Sequence, residues 1–174
     1  VRELVLIRHG QSEHHLDGRS GGWTDSRLTE TGHAQAKATA EHLKSGVPVQ
    51  ASAVVSSDLA RAAETAAIIA SVLGLQAETT PALRELDNGV AAGLTVEAAR
   101  RLQNPHSEPA LDWVPFAGGE SWRELYVRIS SFLSALRADG GDRLVVVSHA
   151  NAIICAINWF LGLHSDETLR YLMY

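Results

Sequence analysis

The chain has 174 residues, the size of one domain at roughly 100–200 residues per domain, and long enough to bury about 70% of its unfolded surface. Apolar residues make up 45% and charged residues 20%, which is globular composition and excludes a disordered or membrane-embedded chain. Lys and Arg number 15 against 20 Asp and Glu, a net charge of −5, which argues against nucleic acid and other extended polyanions as partners.

Leu4–Ile7 is a short β-type apolar run ending in Arg8-His9-Gly10. It is too short for a secretory signal, and no apolar run approaches the roughly 18 residues that span a bilayer. The expectation is a cytoplasmic protein with no membrane partner. Thr31–Lys44 reads as an Ala-rich helix stopped near Gly46 and Pro48. Ala53–Val55 is a second short strand. Asp58–Leu73 carries apolar residues at 59, 62, 63, 66, 69 and 73, the spacing of one helical face, with Gly74 as its stop. Thr95–Leu102 is a weaker helix. Ser121-x-x-Glu124 is a capping box opening a helix with apolar residues at 122, 125, 129, 132, 133 and 136. Leu144–Val147 reads as a strand buried on both faces. Ala150–Leu161 is a helix apolar almost all round, so a buried one. It contains the lone cysteine, Cys155, read as an inert core residue. It serves either the core or a homodimer interface, with core preferred. This order of elements predicts an α/β fold: a three-layer α/β/α sandwich with a mostly parallel central sheet.

Two strands end in the same way. Leu4–Ile7 runs into Arg8-His9-Gly10, and Leu144–Val147 runs into Ser148-His149-Ala150. Ligands in open α/β sheets bind beyond the carboxyl ends of strands. If the two strands are neighbours, His9 and His149 face one crevice; otherwise each His simply caps its strand. A neutral imidazole is a good nucleophile towards phosphorus, arginine pairs with phosphate oxygens, and Gly10 lets backbone approach an anion.

The hexapeptide Arg8-His9-Gly10-Gln11-Ser12-Glu13 resembles the signature of the histidine phosphatase superfamily, the phosphoglycerate-mutase-like proteins. Further blocks follow in that family's order over nearly the whole chain: Gly22-x-x-Asp25-x-x-Leu28-Thr29-x-x-Gly32, then Ser56-Ser57-Asp58-Leu59-x-Arg61-Ala62-x-x-Thr65-Ala66, then Leu83-Arg84-Glu85-Leu86-Asp87-x-Gly89, then Gly118-Gly119-Glu120-Ser121, then Ser148-His149. The resemblance implies a phosphoglycerate-mutase-like fold. It implies that His9 is the nucleophile that forms a phosphohistidine. Arg8, Arg61 and His149 would surround the phosphoryl oxygens, and Glu85 would donate the proton to the leaving oxygen. Gln11, His15, Gly22 and Ala150 are the further candidates for holding substrate or phosphate. No metal and no cofactor is expected. Positive charge around the anion should keep His9 neutral, and a bound phosphate should raise the pKa of Glu85.

The chain departs from the family pattern in three places. His15 stands where many relatives have Asn, so it would either donate a similar hydrogen bond or add charge. Ala91-Ala92 replaces the usual Trp-Glu, which removes bulk near Glu85. The stretch after His149 is short, and Leu172-Met173-Tyr174 reads as the start of a further strand, so the C-terminus is read as short or not the natural end.

The expected activity is phosphomonoester hydrolysis on a small phosphorylated metabolite. A phosphoglycerate-type mutase is the alternative within the family, and the stretch from Gln11 to Asp25 resembles the mutases. The interval from Glu85 to His149, however, is too short for the mutases' long insertion. Trp113-Val114-Pro115-Phe116 reads as a lid, which favours a small-molecule substrate. A non-catalytic phosphate-binding member of the fold is a further alternative. Gly18-Arg19-Ser20-Gly21-Gly22 matches G-x-S-x-G, but nothing strand-like precedes it, so a glycine-rich turn is the simpler reading. His9, His14 and His15 are near in sequence without the spacing of a helical zinc motif. The net charge implies local positive charge from Arg8, Arg61, His9 and His149 inside an acidic surface. Large polyphosphorylated substrates should then be repelled at the rim.

Overall fold

The structure, a computed structural model of the chain, describes residues 3–45, 53–138 and 143–170. Four strands run through it: β1 Glu3–Arg8, β2 Ala53–Ser57, β3 Ala77–Thr80 and β4 Arg143–Ser148. They pair in the order β1-β4-β2-β3, every pair parallel. The helices are α1 Glu13–Leu16, α2 Glu30–Ser45, α3 Ala60–Leu73, α4 Val96–Arg101, α5 Trp122–Ala138, α6 Ala150–Leu161 and α7 Asp166–Arg170.

Strand alternation sorts the apolar residues into two cores. Val5, Ile7, Val54, Val145 and Val147 face α2 and α3, meeting Ala40, Leu43, Ala62, Ala66 and Ile69. Leu4, Leu6, Val55, Leu144 and Val146 face α5 and α6, meeting Leu125, Ile129, Leu133, Ala152 and Cys155. Side chains point to opposite faces with period two, so continuous apolar runs such as Leu144–Val147 belong to a sheet covered on both sides. The three-layer α/β/α sandwich expected from the sequence is therefore what the chain forms.

Most predicted elements appear with small boundary changes. The capping box at Ser121 forms: Ser121 N–H donates to Glu124 Oε2 at 2.8 Å and Glu124 N–H to Ser121 Oγ at 3.2 Å. α3 ends at Gly74 as predicted. The predicted stop of α2 at Gly46 and Pro48, and the strand expected at Leu172-Met173-Tyr174, lie outside the described residues. The sequence reading missed β3. Its residues are Ala-Glu-Thr-Thr, and among the described residues it pairs only with β2, so it needs no apolar run.

α6 differs from expectation. Its inner face is buried through Ala152, Cys155 and Ala156, and burial pushes the Cys155 thiol up to about 12, in keeping with an inert core residue. Its outer face is not covered, with Phe160 48% and Leu161 62% exposed. The helix has only one sheet to pack against, so apolar residues all round do not mean burial all round.

The turn after β1 is set by a close approach of two backbones. A Cβ on Gly10 would lie 2.5 Å from the Gly32 carbonyl oxygen, and a Cβ on Gly32 would lie 2.0 Å from that of Gln11. Only glycines let the first turn of α2 press against the His9–Gln11 loop. Gly32→Ala is therefore expected to cost at least about 1–3 kcal/mol, as overpacking does. The midpoint of denaturant unfolding checks this, and an unchanged midpoint contradicts it.

Candidate active site

The register of β1 against β4 builds the first part of the site. Arg8 pairs with Ser148, and His9 N–H donates to Ser148 O at 3.0 Å. The residues that follow, His9 and His149, thus leave neighbouring strands side by side, with ring centroids 5.0 Å apart. The two rings meet because the strands are adjacent, which spacing alone did not require, but His149 is buried and only His9 reaches the cavity.

The His9 ring is held in one tautomer. Its Nδ1 lies 2.7 Å from Gly10 O. A carbonyl only accepts, so Nδ1 carries the proton and Nε2 carries the lone pair. Arg61 Nε–H donates to that Nε2 at 3.2 Å. Burial above all, then Arg61, Arg8 and His15, lowers His9 to about 3. The imidazole is neutral across the physiological range. Nearby cations contribute as expected, but burial is the larger cause.

Arg61 sits in the first turn of α3 and is 1% exposed. Its Nη1 donates to Thr24 O and its Nη2 to Gly22 O, each at 2.7 Å. Burial lowers it to about 10, so it stays charged at neutral pH. Gly22 has φ +58, and a Cβ there would lie 2.4 Å from Asn88. The glycine turns its carbonyl to Arg61 in a backbone conformation that other residues rarely adopt. Asp25 Oδ1 accepts from Ala60 N–H at 2.8 Å, at the N-terminus of the helix that carries Arg61.

Glu85 lies across the cavity, at the start of α6. Its Oε1 accepts from Leu86 N–H at 2.8 Å and its Oε2 from Asn151 N–H at 3.2 Å. These bonds and the Arg61 charge lower its pKa, yet burial outweighs them and the net shift is upward. The cause of the upward shift is burial, where the sequence led one to expect a bound phosphate to be the cause.

His149 is 1% exposed, and neither ring nitrogen has a hydrogen-bond partner among the described residues. Burial, then Arg61 and His9, lowers it strongly, so it too is neutral. His14 is lowered to about 4, chiefly by burial, and His15 is lowered by burial and Arg8. This corrects the expectation that His9 and His149 supply positive charge. Arg8 and Arg61 carry it, because desolvation neutralises imidazole while guanidinium keeps its proton. His15 Nδ1 accepts from Ser12 N–H at 3.2 Å, so its proton is on Nε2. As a neutral donor it can act as the usual Asn would.

A cavity of about 300 Å³ joins these groups. Arg8, His9, His15, Arg61 and Glu85 line it together with Gly22 and Ala150. His149 is not among the lining residues; it is buried, with its ring 5.0 Å from that of His9. Gln11 is not on this wall: it lines a neighbouring cavity with Gln35, and its Oε1 accepts from Thr29 Oγ1 at 2.8 Å. Trp113–Phe116 does not line the cavity either. Trp113 Nε1–H donates to Pro105 O at 3.0 Å, and Pro115 O accepts from Asn104 N–H at 2.8 Å, so the expected lid is folded onto residues 104–105. Ser20 is no nucleophile elbow. Gly18–Ser20 pairs with Leu94–Val96, and Ser20 Oγ accepts from Asn88 Nδ2–H at 2.9 Å.

Several positioning residues escaped the sequence reading. Arg128 of α5 donates to Ala82 O at 2.9 Å and to Arg84 O and Glu85 O at 3.1 Å. It is also paired with Glu120 at 2.7 Å, and Glu120 Oε2 accepts from Asp87 N–H at 3.1 Å. The pair clamps the loop that carries Glu85. Trp23 Nε1–H adds a bond to Glu85 O at 2.8 Å. Glu120 lies in the motif block Gly118-Gly119-Glu120-Ser121, but nothing in the sequence points Arg128 at this loop.

The family model described as histidine phosphatase superfamily (branch 1) matches residues 4–173. The chain belongs to that superfamily. A probable phosphoglycerate mutase from Photorhabdus laumondii is 36% identical, over 97% of this chain and 80% of its own length. Among solved structures, a mycobacterial glucosyl-3-phosphoglycerate phosphatase in complex with VO3 has a TM-score of 0.79 at 30% identity, covering 98% of this chain and 87% of that one. A structure described as mycobacterial hydrolase 1 has a TM-score of 0.82 at 30% identity, covering 97% and 84%. No helix among the described residues of this superfamily member is long and apolar enough to cross a membrane.

The neutral histidines make stability depend on pH. Between pH 6.5 and about 3 the unfolded chain binds a proton at His9 that the folded chain refuses. Stability is therefore full above pH 6.5 and falls as pH drops through that window, by about 1.4 kcal/mol per pH unit for a ring wholly within it. His14 acts the same way between 6.5 and about 4, and His149 in the same direction. Glu85, raised above 4.5, opposes them, since the folded chain keeps its proton longer as pH rises. Urea midpoints measured in phosphate-free buffer from pH 7.5 to 4.5 are expected to fall. A flat series would contradict neutral histidines.

Proposed function

We propose that this histidine phosphatase superfamily member hydrolyses phosphomonoesters through a phosphohistidine on His9. The observation that carries the reading is the ring's state. Nδ1–H is fixed on Gly10 O, and a neutral Nε2 lone pair faces a cavity with Arg8, Arg61 and a carboxyl of raised pKa. In the first step Nε2 attacks phosphorus, the ester P–O bond breaks, and the Glu85 carboxyl gives its proton to the leaving oxygen. Arg61 Nε–H passes from Nε2 to a phosphoryl oxygen, while its other donors keep Thr24 and Gly22. Arg8 and Arg61 balance the charge spread over the equatorial oxygens, and His149 and His15 donate neutral N–H groups to them. In the second step the Glu85 carboxylate takes a proton from water, whose oxygen attacks phosphorus. The P–N bond breaks, releasing inorganic phosphate and restoring His9.

Hydrolysis is preferred to a mutase because a mutase must keep water from the phosphohistidine, and the segment expected as a lid, Trp113–Phe116, lies away from the cavity. The similar structure solved with VO3 adds support, as its name is that of a phosphatase. A small phosphorylated metabolite suits a cavity of about 300 Å³, near the lower limit for small-molecule sites. A cytoplasmic setting fits the single, unpaired Cys155.

His9→Ala is expected to abolish turnover of an aryl phosphate assayed without added metal, and to remove an acid-labile phosphoryl adduct trapped by rapid alkaline quench. Activity surviving in this variant would sink the mechanism. Glu85→Gln should lower kcat by about 10²–10⁴-fold on esters with poor leaving groups, the usual worth of a general acid. Parent activity should fall as pH rises past the elevated Glu85 pKa, because the acid form is then lost. The glutamine variant should lack that alkaline fall.

A further inference from the structure

We propose that Arg19 makes the site selective for phosphomonoesters whose alcohol carries a second anionic group. The inference rests on the His9–Glu85 reading and deepens it. Attack by His9 expels the ester oxygen on the far side of phosphorus, towards the proton on Glu85. The alcohol therefore occupies the part of the cavity that Glu85 shares with Arg19, Gly21 and Asn151, rather than the neighbouring cavity lined by Gln11 and Gln35. That wall is polar or small, and its only apolar side chain is the methyl group of Ala150.

Arg19 is exposed, but its backbone is held in place and its side chain is tied at one end. Ser20 N–H donates to Leu94 O at 2.8 Å and Val96 N–H to Gly18 O at 3.0 Å, which makes a short antiparallel bridge with Arg19 opposite Thr95. Its Nη1 donates to Gly93 O. Its remaining N–H donors have no acceptor among the described residues. Elsewhere Arg84, Arg123, Arg128 and Arg143 are each paired with a carboxylate. The three arginines that line the cavity, Arg8, Arg19 and Arg61, have no ion-pair partner among the described residues. Two of them are occupied by the phosphoryl group. The third is a spare cation on the leaving-group side, and a planar guanidinium with free N–H pairs binds an anionic oxygen group by charge-assisted hydrogen bonds.

The test compares two esters of similar size, phosphoglycolate and ethyl phosphate, on the parent, Arg19→Gln and Arg19→Lys. Comparing the ratio of their kcat/KM values between proteins cancels the difference in leaving-group reactivity. The ratio is expected to fall about tenfold in Arg19→Gln, mainly through KM, and to recover in part in Arg19→Lys. In the parent it should shrink as salt rises. A second measurement does not need turnover: calorimetric binding of both esters to His9→Ala and to His9→Ala/Arg19→Gln. The anionic ester should bind about tenfold tighter to the first protein, and the gap should close in the second. Equal ratios in parent and Arg19→Gln, or a binding gap that survives the substitution, overturn the proposal. Turnover that survives His9→Ala overturns the phosphohistidine reading instead.

Discussion

A guanidinium cannot leave water unless acceptors receive its N–H groups and something keeps its charge from being ruinous. Arg61 meets that demand without an ion-pair partner among the described residues: two backbone carbonyls and an imidazole nitrogen take its donors. Each acceptor is a structural commitment. The carbonyls of Gly22 and Thr24 must turn inward, which is why Gly22 takes a left-handed backbone against Asn88. The imidazole must offer a lone pair, which forces His9 to be neutral and to hold its proton on Nδ1. The helix that presents Arg61 must start where it does, with Asp25 accepting from Ala60 at its N-terminus. The positive charge of the cavity and the neutral His9 ring are therefore one construction.

The opposite wall is built by a different principle. Glu85 receives backbone N–H groups from Leu86 and the first turn of α6, which favour its anion, yet burial leaves its pKa raised. His9 is pushed down by the same burial that pushes Glu85 up. Dry surroundings thus drive a base and an acid apart: the His9 ring is held neutral, and the Glu85 carboxyl is shifted towards its protonated form. The loop carrying Glu85 has little regular structure, and it keeps its place through Arg128, Glu120, Trp23 and the Ser148 hydroxyl, which donates to Leu83 O at 2.7 Å.

Much of this was legible in the residues, and the failures have physical reasons. Helices α3 and α5 follow from the spacing of their apolar residues and from their stop and capping signals, which are local. Strand β3 was invisible because an edge strand next to solvent needs only backbone pairing. α6 was read as buried all round because composition reports apolarity and not what packs against it. The lid reading of Trp113–Phe116 failed because a short aromatic segment has no preferred docking place until its neighbours are known.

The motif blocks by themselves determined the family, the nucleophile candidate and five of the cavity-lining residues, Arg8, His9, Gly22, Arg61 and Glu85, since these depend on residue type, order and spacing along the chain. Only the tertiary structure decided their charge states and their distances. It set Arg8 against Ser148 and so His9 beside His149, it separated Gln11 from the cavity lined by Arg61 and Glu85, and it brought Arg128 onto the Glu85 loop. A net charge of −5 says nothing of where the positive charge lies. Burial removes it from the histidines and leaves it on the arginines, because desolvation is a property of the packed molecule and not of the sequence.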